Sequence, residues 1–263
     1  MKLAILDDYA DVARDLGDWG AIDADVTVFN QPIPREELAQ TLSPFDILVV
    51  MRERTPIRRE LIEALPNLKL IVTTGPRNAA IDSTFAASRG ITVSGTASRA
   101  LATAQMTMAI ILAASRNLIP QANAMRDGGW QTGLGRDLDG LKLGLIGLGK
   151  QGAGVAKLAQ AFGMQISAWS QNLTAARCAE LGVTWAGQLE TLLVDSDIVS
   201  IHVVLSDRTR DLIGAGHLAL MKPDALLVNT SRGPILDESA VIPALEAGRP
   251  GRIALDVFST EPL

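Results

Sequence analysis

The 263 residues carry 24 basic and 29 acidic side chains, a net charge of −5, which argues against nucleic acid or an acidic membrane surface as partner. Hydrophobic residues make up 48% of the chain, enough at this length to bury the cores of two domains. The one cysteine, Cys178, cannot form an internal disulfide, the apolar start of the chain stops at Asp7 and no run is long enough for a membrane span. The expectation is a cytoplasmic protein without a signal peptide.

Residues 1–95 alternate strand-like with helix-like segments. Short β-rich runs fall at 2–7, 26–29, 47–51, 68–73 and 91–94. Helical segments are expected near 35–41, behind Pro34, at 58–65, closed by Pro66, and at 83–89. Such alternation implies a parallel sheet covered by helices. Residues 98–118 form the longest helical pattern, apolar on most sides and rich in Ala and Met, suited to a buried connecting helix or a subunit contact. Gly128, Gly129, Gly133 and Gly135 then mark a loop.

From residue 141 the alternation resumes, with strands expected at 143–147, 165–170, 183–185, 198–203, 225–230 and 253–257. Helices are expected at 173–181, 188–193 and 238–247. The first of these strands runs directly into Gly147-x-Gly149-x-x-Gly152, followed by a helical stretch at 153–163. Strand, glycine turn and helix in that order form a dinucleotide-binding unit. The first Gly permits the tight turn, the second lets backbone approach a pyrophosphate, and the third lets the helix pack closely on the strand. Gly147, Gly149, Lys150, Gln151 and Gly152 are therefore candidate cofactor residues. Right-handed crossovers would gather Gly149, Ser170, Val203, Arg232 and Asp256 at the carboxyl ends of the strands.

Four segments, T-T-G-P-R-N-A-A-I-D (73–82), G-L-G-K-Q-G (147–152), V-N-T-S-R-G-P (228–234) and A-L-D-V-F-S-T-E-P (254–262), resemble the D-isomer-specific 2-hydroxyacid dehydrogenase family, the phosphoglycerate dehydrogenase-like group. The resemblance implies an α/β chain of two doubly wound parallel-sheet domains. Residues 1–95 would be a flavodoxin-like substrate domain and 96–263 a Rossmann dinucleotide-binding domain. It implies hydride transfer between NAD(P)(H) and C2 of a small 2-keto or 2-hydroxy acid of D configuration, by a homodimer. Arg232 matches the family's arginine that grips the substrate carboxylate, a task suited to a planar fork of donors. Glu261 matches the glutamate that supports a catalytic imidazole. Asp256 matches the residue that meets the nicotinamide carboxamide. Thr74, Val203, Val204, Thr230, Ser231 and Arg232 match positions that line the cofactor, and Arg52 and Gly75 match positions that face the substrate.

Three departures shape the expectations. The family's catalytic His, in a Pro-His segment, would follow Glu261, along with the segment that returns to the first domain; the sequence stops at Leu263. His202 reads as a structural residue beside the cofactor and His217 as an ordinary helix residue. The expectation is therefore a chain cut short, with impaired turnover. The alternative is a cofactor-binding protein without turnover, used for redox sensing or partner binding. Second, the acid expected about 20 residues after the glycines, which accepts from the ribose hydroxyls, is replaced at Ser170-Gln171-Asn172, with Arg177 further on. The cofactor is NAD or NADP, with NAD taken first. Third, Pro76 follows Gly75 in the substrate loop and has no N–H to offer, and Arg52, Arg54 and Arg77 add positive charge there.

Overall fold

Runs of Leu, Ile and Val, each closed by a polar turn, set up two separate sheets. The computed structural model describes residues 1–97 and 100–262, and they divide into two units, Met1–Arg99 and Ala100–Glu261. The first unit contains β1 (Lys2–Ile5), β2 (Asp25–Val28), α1 (Leu38–Leu42), β3 (Ile47–Val50), α2 (Arg59–Glu63), β4 (Leu70–Thr73), α3 (Ser83–Ser88) and β5 (Thr92–Gly95). Its five parallel strands lie in the order β2-β1-β3-β4-β5, the flavodoxin-like order. Leu6, Leu42, Leu48, Ile62 and Ile71 are fully buried between sheet and helices. The helix expected at 35–41 begins only at Leu38. A turn from Pro34 to Glu37 (2.9 Å) comes first, and the i,i+4 pair Leu38 and Leu42 supplies the buried face.

The second unit runs α4 (Ala100–Ser115), α5 (Leu118–Arg126), β6 (Lys142–Ile146), α6 (Lys150–Ala161), β7 (Gln165–Trp169), α7 (Ala175–Glu180), β8 (Thr184–Trp185), α8 (Leu189–Asp195), β9 (Ile198–Ile201), α9 (Ala215–Leu220), β10 (Leu226–Asn229), α10 (Val241–Glu246) and β11 (Arg252–Leu255). Its six parallel strands are ordered β8-β7-β6-β9-β10-β11, the full dinucleotide-binding order with β6 and β9 at the switch point. Leu143, Leu145 and Ile146 of β6 are all buried, as a central parallel strand requires.

The helix expected over 98–118 is α4, which ends at Ser115, and its predicted start at Ser98 lies outside the described residues; the helix α5 that follows from Leu118 was not expected. Asn117 takes a left-handed conformation (φ 53°) and restarts the chain as α5. One face of α4 (Ala104, Met108, Ile111) packs on Val155, Ala156 and Ala159 of α6, while Leu101 and Met106 are exposed. Among the described residues no helix is long and apolar enough to cross a membrane, and no group of His, Cys, Asp and Glu is placed to hold a metal ion.

Candidate functional site

The glycine turn shows why each glycine stands where it does. Gly147 leaves β6 at φ +104°, and a Cβ there would lie 2.8 Å from the backbone carbonyl of His202. A Cβ on Gly152, in the first turn of α6, would lie 2.1 Å from the Gly147 oxygen. Helix and strand can meet this closely only without side chains. Gly149, the N-cap of α6, differs: a Cβ there would meet nothing within 4 Å. It faces a cleft of about 390 Å³.

Three walls form that cleft. Gly147, Leu148 and Gly149 make one; Trp169, Ser170, Gln171, Asn172 and Leu173, at the end of β7, make the second. The third comes from His202, Val203 and Val204 and, further on, Ser206, Arg208, Thr209 and Leu212. No Asp or Glu is among them. The positive end of the 12-residue helix α6 and its unpaired first-turn N–H groups make this concavity fit for a phosphate-bearing ligand.

His202 is almost completely buried, and desolvation pushes its pKa down to about 4. Its Nε2 pairs with Ser200 Oγ at 2.9 Å, and its Nδ1 finds no hydrogen-bond partner among the described residues. At neutral pH it is an uncharged wall residue.

After β10 the chain is held atom by atom. Asn229 accepts from the Ser231 N–H (3.0 Å) and donates to the Arg232 carbonyl (2.9 Å). Ser231 Oγ donates to the Val203 carbonyl (2.6 Å), and Thr230 Oγ1 bonds Thr107 Oγ1 (2.8 Å). The Arg232 guanidinium donates to the Ser231 carbonyl at 2.7 Å. Gly233 then packs so closely on the loop after β11 that a Cβ would lie 2.1 Å from the Phe258 carbonyl carbon. This contact brings the Arg232 loop against the loop that carries Glu261. Glu261 accepts from the Phe258 N–H (3.0 Å), and Glu238 accepts from the Ser259 N–H (2.6 Å). Asp256, expected at the end of a strand over 253–257, directly follows β11, which ends at Leu255, and is exposed. Partial desolvation, with the Glu261 charge added, raises its pKa.

In the first unit, Arg52, Thr74 and Gly75 meet at the carboxyl ends of β3 and β4. Arg52 sits at φ 49°, its N–H donating to Thr74 Oγ1 (3.2 Å), and its carbonyl accepts from the Asn78 amide. Gly75 takes φ +100°, and its N–H donates to Thr96 Oγ1 (2.8 Å). The Gly75 donor is therefore taken up by Thr96, within the first unit. Arg54 lies over the Tyr9 ring, 4.6 Å from its centroid, and donates to the Asp7 carbonyl (2.9 Å).

The family described as D-isomer specific 2-hydroxyacid dehydrogenase, NAD binding domain, matches residues 108–263. The chain belongs to this family. It is 38% identical over 234 residues to the D-3-phosphoglycerate dehydrogenase of Methanocaldococcus jannaschii, covering 88% of this chain and 44% of that protein. It is 39% identical over 252 residues to the glyoxylate reductase of Aeropyrum pernix, covering 91% of this chain and 74% of that one. A solved structure of phosphoglycerate oxidoreductase from Vibrio cholerae O395 superposes with a TM-score of 0.93 at 40% identity, covering all of this chain and 85% of that chain. The chain thus spans less than half the length of the curated phosphoglycerate dehydrogenase it matches.

Within this dehydrogenase fold the expected cofactor residues divide by role. Gly147, Gly149, Ser170, Val203 and Val204 line the cleft. Gly152 packs the helix instead, Gln151 reaches Thr103 at 3.4 Å, and Lys150 is an exposed first-turn residue. Thr230 and Ser231 are buried in the bonds described above. Arg177, which the sequence offered as a reach toward the ribose, pairs with Glu180 on its own helix. Sequence reasoning passed over Trp169 and Arg208 as wall residues. Trp169 ends the second strand of the motif and could have been read from that position; Arg208, in a loop after the fourth strand, carries no motif.

Proposed function

We propose that the protein transfers a hydride between a nicotinamide dinucleotide and C2 of a small 2-keto or 2-hydroxy acid of D configuration. The observation that carries this reading is the open face of Gly149 at the head of α6, in the same unit as the interlocked Arg232 and Glu261 loops. The dinucleotide supplies or accepts the hydride. Backbone N–H groups of the α6 first turn hold its pyrophosphate, while Trp169, Val203 and Val204 border the cleft that takes its adenosine half. Asp256 contacts it further along.

Arg232 offers its guanidinium fork to the substrate carboxylate and polarises the C2 carbonyl. Glu261 carries the carboxylate that supports the family's imidazole. That histidine is not among residues 1–263. His202, buried and neutral, and His217, a residue of the helix α9, do not replace it. A polypeptide of residues 1–263 alone therefore reduces keto acids roughly 10²–10⁴-fold more slowly than one carrying the family histidine. The active form is a homodimer, built on the apolar side chains that α4, α5 and the loop after them leave exposed.

The test is a panel of small 2-keto acids with NADH and NADPH, followed by nicotinamide absorbance. A substrate is expected, with kcat/KM falling about 10- to 100-fold in Arg232→Lys, as for loss of a charge-assisted fork. Dinucleotide binding with no reduction of any 2-keto acid, by residues 1–263 and by any longer gene product alike, would leave the non-catalytic reading in its place.

A further inference from the structure

The dinucleotide reading places a pyrophosphate at the head of α6. The adenosine ribose then falls at the end of the next strand, beside Ser170, Gln171 and Asn172. An enzyme selective for an unphosphorylated ribose keeps a carboxylate at that point, which accepts from the hydroxyls and repels a phosphate. Here the three side chains are uncharged, and no acid lines the cleft.

Arg208 stands on the facing wall. Its loop is a tight hydrogen-bonded turn: the Ser206 N–H donates to Thr209 Oγ1 (2.8 Å), the Thr209 N–H to the Ser206 carbonyl (3.0 Å), and Thr209 Oγ1 to the Val204 carbonyl (2.7 Å). Gln171 Nε2 donates to the Arg208 carbonyl at 3.4 Å, tying this turn to the end of β7. The backbone beneath the guanidinium is therefore anchored to both walls. The guanidinium itself makes no hydrogen bond or ion pair among the described residues. Asp207, its neighbour in the chain, is exposed and does not line the cleft. A wall arginine opposite uncharged hydroxyl and amide groups is a receptor for a phosphate monoester.

We propose, resting on the dinucleotide reading above, that Arg208 with Ser170, Gln171 and Asn172 forms a site for the ribose 2′-phosphate, so that of the two cofactors the sequence left open the protein selects NADP(H). Arg208 is the residue that decides the preference.

The test is calorimetric titration of the full chain with NADPH, NADH, 2′,5′-ADP and 5′-AMP. NADPH and 2′,5′-ADP are expected to bind at least about 10-fold more tightly than their unphosphorylated counterparts, the worth of a charge-assisted bond. Arg208→Gln is expected to collapse that ratio toward one, and Ser170→Asp to reverse it. NADH binding as tightly as NADPH in the native protein, or a ratio untouched by Arg208→Gln, overturns the 2′-phosphate site and leaves the dehydrogenase reading standing. Failure of both dinucleotides to bind overturns the reading on which this site rests.

Discussion

Gly149 and Gly152 stand three positions apart in one motif, yet the space around them predicts opposite outcomes for the same substitution. A methyl group at 152 must displace the Gly147 carbonyl, so Gly152→Ala is expected to cost about 1–3 kcal/mol of stability, as overpacking does. At 149 the methyl group enters only the cleft, so Gly149→Ala should keep the native denaturation midpoint and lose at least about 10-fold in dinucleotide affinity. Urea titration and calorimetry on the pair decide it; a destabilised Gly149→Ala with normal binding would reverse the assignment. His202 yields a second prediction. Its pKa is about 4 in the folded chain against 6.5 in a free histidine. Above pH 6.5 it is neutral in both states and has no effect. As pH falls from 6.5 to 4 the unfolded chain takes up a proton that the folded chain refuses, and stability declines by about 1.4 kcal/mol per pH unit, roughly 3 kcal/mol in all. A His202→Gln variant lacks this component, so its midpoint should fall less between pH 7 and pH 5; parallel curves would count against a buried neutral imidazole. The glycine roles were legible because spacing alone dictates them. The state of His202 was not, since it comes from the burial of β9 beneath its neighbours.

At the scale of elements, the strands were legible because parallel strands buried on both faces are continuous apolar runs. Their ends, within a few residues, were not. The helix α5 went unread although a signal existed. Pro120 lies in the first turn of α5, where its missing N–H is tolerated, and so marks a helix start at that point. The ion cluster that fastens the amino ends of the second sheet was also hidden, because its members come from distant segments. Asp197, just before β9, accepts from the Lys142 N–H (2.8 Å) and pairs with Lys222 (2.9 Å) and Arg136 (3.3 Å). Burial alone would raise its pKa, but the Lys142 N–H and the two cations outweigh it and hold the carboxyl below its ordinary value. Asp197→Asn is expected to lower stability by about 1–3 kcal/mol at neutral pH. The loss should shrink in acid, because the native contribution, full above the ordinary carboxylate pKa, disappears as pH falls through the depressed folded value. Dinucleotide affinity should stay unchanged, because the cluster lies at the opposite end of the strands from the cleft.

At the scale of the whole molecule, the alternation of strands and helices was enough to expect two parallel sheets, and the four motif segments were enough to expect which strand order belonged to each. What no motif announced is the apolar platform that follows α4. Leu118, Ile119, Met125, Trp130 and Leu134 are each more than half exposed, Leu134 at 94%. These side chains are not on a loose tail. Asn117 Nδ2 donates to the Leu134 carbonyl (3.1 Å), Gln121 Nε2 to the Gly133 carbonyl (3.0 Å), and the Arg136 N–H to the Ser115 carbonyl (2.7 Å), so the loop is pinned along α5. A chain that orders its backbone in order to present apolar side chains to water needs a partner for them. The homodimer proposed above supplies one, and it makes a quantitative demand. Light scattering should give twice the 27.9 kDa chain mass at micromolar concentration. Ile119→Glu with Leu134→Glu should give monomers of unchanged denaturation midpoint in the concentration-independent range, because neither side chain contributes to a core. A native chain that stays monomeric at all accessible concentrations would remove the dimer from the proposal. The platform would then demand a different cover for those five side chains.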